Sequence, residues 1–189
     1  MPAPLPPPDT EGEHPRLHRD RHRRLAMACL VALTIAVVDQ STKALAIAQL
    51  STRERIPLIG DLLGLQLAFN PGTIMSLGSG STWVFTIVGT AATIALFYAA
   101  WRVTTTGWAV ALGFVWGGAI GNLLDRYLAA PRFGRGHVTD FLAYGNLFIG
   151  NLADVALGVG VGLGIVLQLL RTRRHHAATE RAGGGDSLQ

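Results

Sequence analysis

Four apolar runs, at about 25–47, 82–101, 107–127 and 148–170, constrain this chain more than any other feature. Each is long enough to cross a hydrocarbon core, which takes roughly 20 residues of helix. The second run carries no charge, and the other three carry charge near one end. Only 15% of the 189 residues are charged, against about 25% in soluble domains. The charges are also segregated. Arg16, Arg19, Arg21, Arg23 and Arg24 precede the first run, and Arg171, Arg173 and Arg174 follow the last. This pattern predicts a mainly α, polytopic membrane protein with four transmembrane helices, not a soluble domain.

An even number of spans leaves both termini on one side. The basic clusters place that side in the cytoplasm by the positive-inside rule. The loops at about 48–81 and 128–147 are then extracytoplasmic, although Arg53, Arg55, Arg132 and Arg135 soften the bias. A cleaved signal peptide is the competing reading of a basic N-terminus before an apolar run. Here the run is longer than an h-region, and Asp39 and Lys43 stand where small residues would mark cleavage. The one cysteine, Cys29, lies inside the first run and has no partner for a disulfide. The terminal segments 1–24 and 171–189 are rich in proline or charge and are expected to be disordered. One membrane domain is expected over 25–170.

The segment 51–81 is too short for a domain and too apolar for a free loop. In RIPLIGDLLGLQLAFN the apolar residues are punctuated by Pro57, Gly60 and Gly64, which fits short strands forming a small extracytoplasmic β-cradle. Asn70-Pro71-Gly72 then predicts a turn, with proline fixing φ and glycine accepting a positive one. The third and fourth runs are rich in glycine, including Gly113, Gly117, Gly118 and Gly121. Small residues let membrane helices approach closely, and close approach would bring polar groups on two helices together.

Those polar groups are few and clustered. Asp39 and Lys43 are spaced i,i+4, so they share a helix face and can pair; the pair is either interfacial, with Lys43 snorkelling outward, or a structural support at the mouth of a site. Asn122, Asp125 and Arg126 lie together at the outer end of the third run, with Arg126 expected to keep Asp125 ionised. Asp125 then reads as a structural anchor, leaving Asn122 and Arg126 free to hold a peptide backbone. Asn151 and Asp154 sit at the outer end of the fourth run, and Asp140 precedes it in the loop. Carboxylates at a bilayer are costly, so Asp140 and Asp154 are functional suspects. All these groups fall at one depth, which points to a single site.

Two converging carboxylates can share one proton and activate a water between them. Other chemistries fit less well. HExxH is absent, and the six histidines lack metal-ligand spacing on one helix, so no metal is expected. His137 reads as a loop residue beside Asp140. A Ser76–Lys43 dyad has nothing in the sequence to bring its members together. No P-loop or dinucleotide fingerprint is present, and no cofactor or nucleic-acid partner is expected. From other classes, a small proton-coupled transporter would also carry intramembrane carboxylates, but it needs polar groups at mid-membrane or on both sides. A non-catalytic assembly factor would use the same residues only to staple helices.

As a set, VVDQSTK (37–43), FNPG (69–72), GGAIGNLLDR (117–126), HVTDF (137–141) and NLAD (151–154) resemble the motifs of the lipoprotein signal peptidases, bacterial signal peptidase II. Any one motif is weak, but five in this order over about residues 25–170 are specific. The resemblance implies an aspartic endopeptidase of the inner membrane that removes signal peptides from prolipoproteins, cutting before a diacylglyceryl-modified cysteine. It makes Asp140 and Asp154 the catalytic pair. Asn70, Gly72, Gly118, Asn122, Arg126 and Asn151 become site-lining or substrate-binding positions, and Asp39, Lys43 and Asp125 become supports. Asn122, Asn151 or backbone N–H groups would stabilise the developing oxyanion. The partners implied are prolipoproteins and membrane lipid, and nothing in the sequence demands more than a monomer. The chain departs from the family after the turn, where Thr73-Ile74-Met75-Ser76 replaces the usual small residues and aromatic.

Overall fold

The computed structural model describes residues 14–72 and 82–184. In order, the elements are α1 (His14–Gln49), β1 (Ile56–Ile59), β2 (Leu63–Asn70), α2 (Thr82–Arg102), α3 (Thr106–Leu128), β3 (Val138–Tyr144), β4 (Phe148–Gly150) and α4 (Leu152–Gly184). All four helices contain stretches long and apolar enough to span a membrane. The protein is thus a polytopic, mainly helical membrane protein with one small sheet.

The second and third runs form helices within a residue of their expected bounds. The other two differ. Helix α1 starts at His14, which corrects the expected disorder over residues 14–24. Residues 16–49 contain no glycine or proline, so the helix propagates beyond its apolar part. Helix α4 likewise runs on to Gly184, past the expected end at 170. Residues 1–13 and 185–189, also expected to be disordered, lie outside the described residues. Helix α4 begins at Leu152, not 148, because Phe148–Gly150 pairs as a strand.

The sheet is antiparallel in the order β1-β2-β3-β4. Strands β1 and β2 fall where the cradle is expected, and the rest of that segment, 73–81, lies outside the described residues. Strand β3 corrects the loop expected over 128–147, and β4 takes up the start of the expected fourth span. Strand β3 exists by pairing with β2, far earlier in the chain, and no local pattern announces it. Its register opposes Ala68 to Asp140 and Asn70 to Val138. Directly opposed residues share a face, so Asn70 and Asp140 project from the same side. Phe141 and Leu67 form the opposite contact, packing on Ala46 at the outer end of α1.

Small residues fill the helix interfaces. On α1 the buried positions are Ala28, Ala32, Ala36, Asp39, Lys43 and Ala46. On α3 they include Ala109, Gly113, Gly117, Gly121 and Asp125, each four residues after the last. Leu30, Leu33, Ile87, Ile94, Val161 and Ile165 face outward. Small inside and large apolar outside is the arrangement expected in lipid, where close backbone contact drives association. A Cβ on Gly117 would stand 2.7 Å from the Ala32 carbonyl oxygen, and one on Gly118 would stand 2.5 Å from that of Ala153. Adjacent glycines therefore press α3 against α1 on one side and α4 on the other.

This packing makes a paired prediction. Gly117→Ala overpacks the α1–α3 seam and destabilises the protein by about 1–3 kcal/mol. Gly158→Ala, on α4 with open space around the added carbon, leaves the melting temperature in detergent unchanged or slightly raised.

Candidate active site

The site is built on a buried lysine. Lys43 is only 2% exposed and Asp39 is fully buried. The Lys43 Nζ lies 2.7 Å from Asp39 Oδ2 and 2.9 Å from Asp125 Oδ2, and it donates its third hydrogen bond to Asn122 Oδ1 at 3.0 Å. An ammonium has three donors, and all three are used. The pairing of Asp39 with Lys43 is as the i,i+4 spacing predicts, but Lys43 does not snorkel outward. Asp125 takes Lys43 as its cation, not Arg126, because neighbouring residues on a helix point in different directions. Gln40, which belongs to no pattern of its own in the sequence, donates to Asp125 Oδ1 (2.9 Å) and to the Gly121 carbonyl (3.0 Å). Its one signal was a polar residue beside Asp39 in an apolar run.

Each carboxylate of this cluster also fixes a backbone. Asp39 Oδ1 accepts the Ala153 N–H at 2.9 Å, satisfying a free donor in the first turn of α4. Asp125 Oδ2 accepts the Thr139 N–H at 2.9 Å, tying β3 to α3. The cluster thereby positions the two elements that carry Asp140 and Asp154.

Asn122 passes the order on. With its Oδ1 committed to Lys43, its Nδ2 donates to Asp154 Oδ1 at 3.0 Å. Asn151 caps α4 reciprocally with Asp154. The Asn151 N–H donates to Asp154 Oδ2 (3.2 Å), and the Asp154 N–H donates to Asn151 Oδ1 (3.0 Å). This is a capping box in which N-L-A-D replaces the usual S/T-x-x-E. The remaining Asn151 donor, Nδ2, reaches Asp140 Oδ1 at 2.6 Å. One asparagine therefore bridges both aspartates. Asn122 and Asn151 thus each hold a carboxylate with one amide hydrogen, and the second hydrogen of each amide remains available for a substrate.

Arg126 is engaged as well. Its guanidinium donates to the Asn70 and Gly136 carbonyls at 3.0 and 3.2 Å and stacks 5.7 Å from the Phe85 ring centre. The Asn70 turn is as expected. The Gly72 N–H donates to Asn70 Oδ1 at 2.8 Å, and Gly72 has φ +89°. A side chain there would strike Phe85 and approach Arg126, so glycine is required twice over. The Thr73-Ile74-Met75-Ser76 run lies outside the described residues.

These groups line a cavity of about 250 Å³ at one end of the bundle, with Asn70, Asn122, Arg126, Asp140, Asn151 and Asp154 on its polar side. Phe85, Gly89, Ala92, Leu123 and Leu157 form the apolar wall. Asp140 sits in β3, not in a loop, and is buried. Burial pushes its pKa from 3.8 up to about 6; the Asn151 hydrogen bond pulls it back, and the Asp154 charge raises it again. No cluster of three or more metal-ligating side chains occurs among the described residues.

Fold and cavity together define a class: a small polytopic membrane protein with amides, a guanidinium and two bridged carboxylates gathered at one end of its helices. Residues 31–170 match the family described as signal peptidase (SPase) II. The lipoprotein signal peptidase of Leifsonia xyli subsp. xyli is 43% identical over 146 residues, covering 77% of this chain and 68% of that protein. That of Mycobacterium avium is 40% identical over 147 residues, covering 78% of this chain and 81% of that protein. A bacterial membrane enzyme solved by the in meso method at 2.3 Å resolution superposes with a TM-score of 0.67 and 29% identity, covering 78% of this chain and 90% of that chain. The chain belongs to the signal peptidase II family and is a membrane protease. Family membership sets aside the transporter and assembly-factor readings.

The lysine hub yields a stability prediction. Lys43→Met leaves Asp39 and Asp125 buried together without a cation, and breaking a buried pair this way costs about 3–5 kcal/mol. Thermal unfolding in detergent should show that loss, with partial recovery in the triple variant Lys43→Met, Asp39→Asn, Asp125→Asn.

Proposed function

We propose that this protein is an aspartic endopeptidase that removes signal peptides from diacylglyceryl-modified prolipoproteins, cleaving before the lipidated cysteine. The observation that carries the mechanism is the Asn151 bridge, which holds Asp140 and Asp154 at one cavity. Like charges this close do not both ionise readily, so the pair holds one proton.

The proton is assigned to Asp140. Burial raises its pKa to about 6 despite the hydrogen bonds it receives from Asn151 and Asn70, so it holds a proton to donate. Both oxygens of Asp154 accept hydrogen bonds at the first turn of α4, where the helix end favours negative charge. Asp154 then takes a proton from a water held between the two carboxyls, and that oxygen attacks the scissile carbonyl carbon. Asp140 gives its proton to the carbonyl oxygen, producing a gem-diol. Collapse returns a proton to Asp140, and Asp154 protonates the departing amine. Lys43 acts through Asn122, keeping an amide donor on Asp154. The apolar wall of Leu123, Leu157 and Phe85 suits an extended substrate whose acyl chains stay in the bilayer.

The setting follows from charge. Arg19, Arg21, Arg23 and Arg24, with Arg171, Arg173 and Arg174, lie at the end of the bundle opposite the cavity. The positive-inside rule puts that end in the cytoplasm of a bacterial cell. The cavity then opens near the outer face of the inner membrane, both termini are cytoplasmic, and a monomer suffices.

Two outcomes are expected. Asp140→Asn and Asp154→Asn each lower the rate of prolipoprotein cleavage by about 10²–10⁴-fold or more while the purified protein still folds and inserts; substantial turnover in either variant would sink the assignment. The second concerns pH. Asp140 has its pKa raised to about 6, so it holds its proton below that value and loses it above. The kcat/KM profile should therefore fall on the alkaline side, with an apparent pKa of about 6 or higher that belongs to the pair. A profile flat through that region counts against a protonated Asp140.

A further inference from the structure

We infer that the end of the bundle opposite the carboxylates carries a phosphate-binding site, suited to the headgroup of an anionic phospholipid. A cavity of about 460 Å³ opens there between the start of α1 and the end of α2. Arg21 and Arg24, spaced i,i+3 on α1, line it with Tyr98, Trp101, Arg102 and Thr104. Three guanidiniums from two distant parts of the chain thus converge.

The site is built, not a loose fringe of charge. The Arg21 guanidinium lies 4.2 Å from the Trp101 ring centre. Arg102 donates to the Tyr98 hydroxyl at 2.6 Å. Stacking and hydrogen bonding of this kind hold a guanidinium's plane in place. Among the described residues every ion pair involves Lys43, so no described acid neutralises any of the three arginines. The nearby carboxylate, Asp20, lines an adjacent cleft with Arg23 and Arg24 and pairs with neither within 4.0 Å.

A second observation points to a missing acceptor. Arg24 Nε is buried and has no hydrogen-bond partner among the described residues. Such orphaned donors are costly. Helix α3 begins beside the cavity at Thr106, capped by Thr105, so its positive end adds to the field. A phosphate supplies what is absent: negative charge and several oxygens that match the guanidinium fork. Depth favours a lipid as the source. Trp101 and Tyr98 lie in the last turns of a span, the level at which aromatic rings meet headgroups. Basic pockets between helices at this level bind anionic headgroups in other membrane proteins.

The test is lipid retention by the full-length protein. The purified protein is loaded in micelles containing phosphatidylglycerol or phosphatidylcholine, washed, and its bound lipid counted by native mass spectrometry. Wild type should retain phosphatidylglycerol over phosphatidylcholine. The variant Arg21→Gln, Arg24→Gln, Arg102→Gln should lose about 100-fold in apparent affinity, taking each basic residue at about fivefold. The variant Arg171→Gln, Arg173→Gln, Arg174→Gln removes equal charge at the same end and should keep the lipid. Equal loss in both variants, or none in the first, overturns the proposal. An excess of inorganic phosphate distinguishes the sources. Displacement of the lipid supports the phosphate site and makes free phosphate a competing ligand; no displacement supports the site as specific to lipid. Thermal unfolding checks that both variants fold. If the first does not, wild type alone decides, and equal retention of the two lipids overturns the site.

Discussion

A lysine ammonium buried between two carboxylates is the interaction on which the rest of this structure depends. Removing three charges from water is expensive, and their mutual attraction offsets that only when geometry and hydrogen bonding are nearly complete. Here they are complete. Lys43 spends its donors on Asp39, Asp125 and Asn122, and each aspartate also accepts a backbone N–H from an element beyond its own helix. The ion cluster is therefore also a joint. It joins α1 to α3, then fixes the start of α4 and the strand β3.

That joint needs the small-residue seam beneath it. Asp39 can meet α3 only because Gly121 offers no side chain at that level. The seam and the ion cluster are two parts of one device. Lipid provides no hydrophobic force between helices, so backbones must come close for dispersion to act. The same closeness puts polar groups within hydrogen-bond reach and out of contact with water.

The start of α4 shows how a site is tied into a fold. Asn151 and Asp154 cap one another, Asp39 satisfies the next donor, and Asn122 holds the remaining carboxylate oxygen. Asp154 is thus both a helix cap and a cavity-lining acid. Both roles favour negative charge at a helix N-terminus. The opposite end of the bundle has the reverse character, with arginines stacked on aromatic rings and, among the described residues, no acid paired to them.

The sequence by itself determined the four spans, since length and hydropathy act locally. It determined the Asp39–Lys43 pair and the Asn70-Pro71-Gly72 turn, since i,i+4 spacing and glycine's positive φ are local too. NLAD carries its capping signature openly, although the apolar Phe148–Gly150 before it hid where the helix begins. Tertiary structure alone decided the rest. Strand β3 exists because β2 is there to pair with it, so Asp140 reads as a loop residue until the sheet is formed. Asp125 looks paired with Arg126 until α1 brings Lys43 across. Asn122 looks free until Lys43 takes its oxygen and turns its amide to Asp154. In each case the deciding partner lies far away in the chain, and a hydrogen bond formed across packed helices leaves no mark on the neighbouring residues.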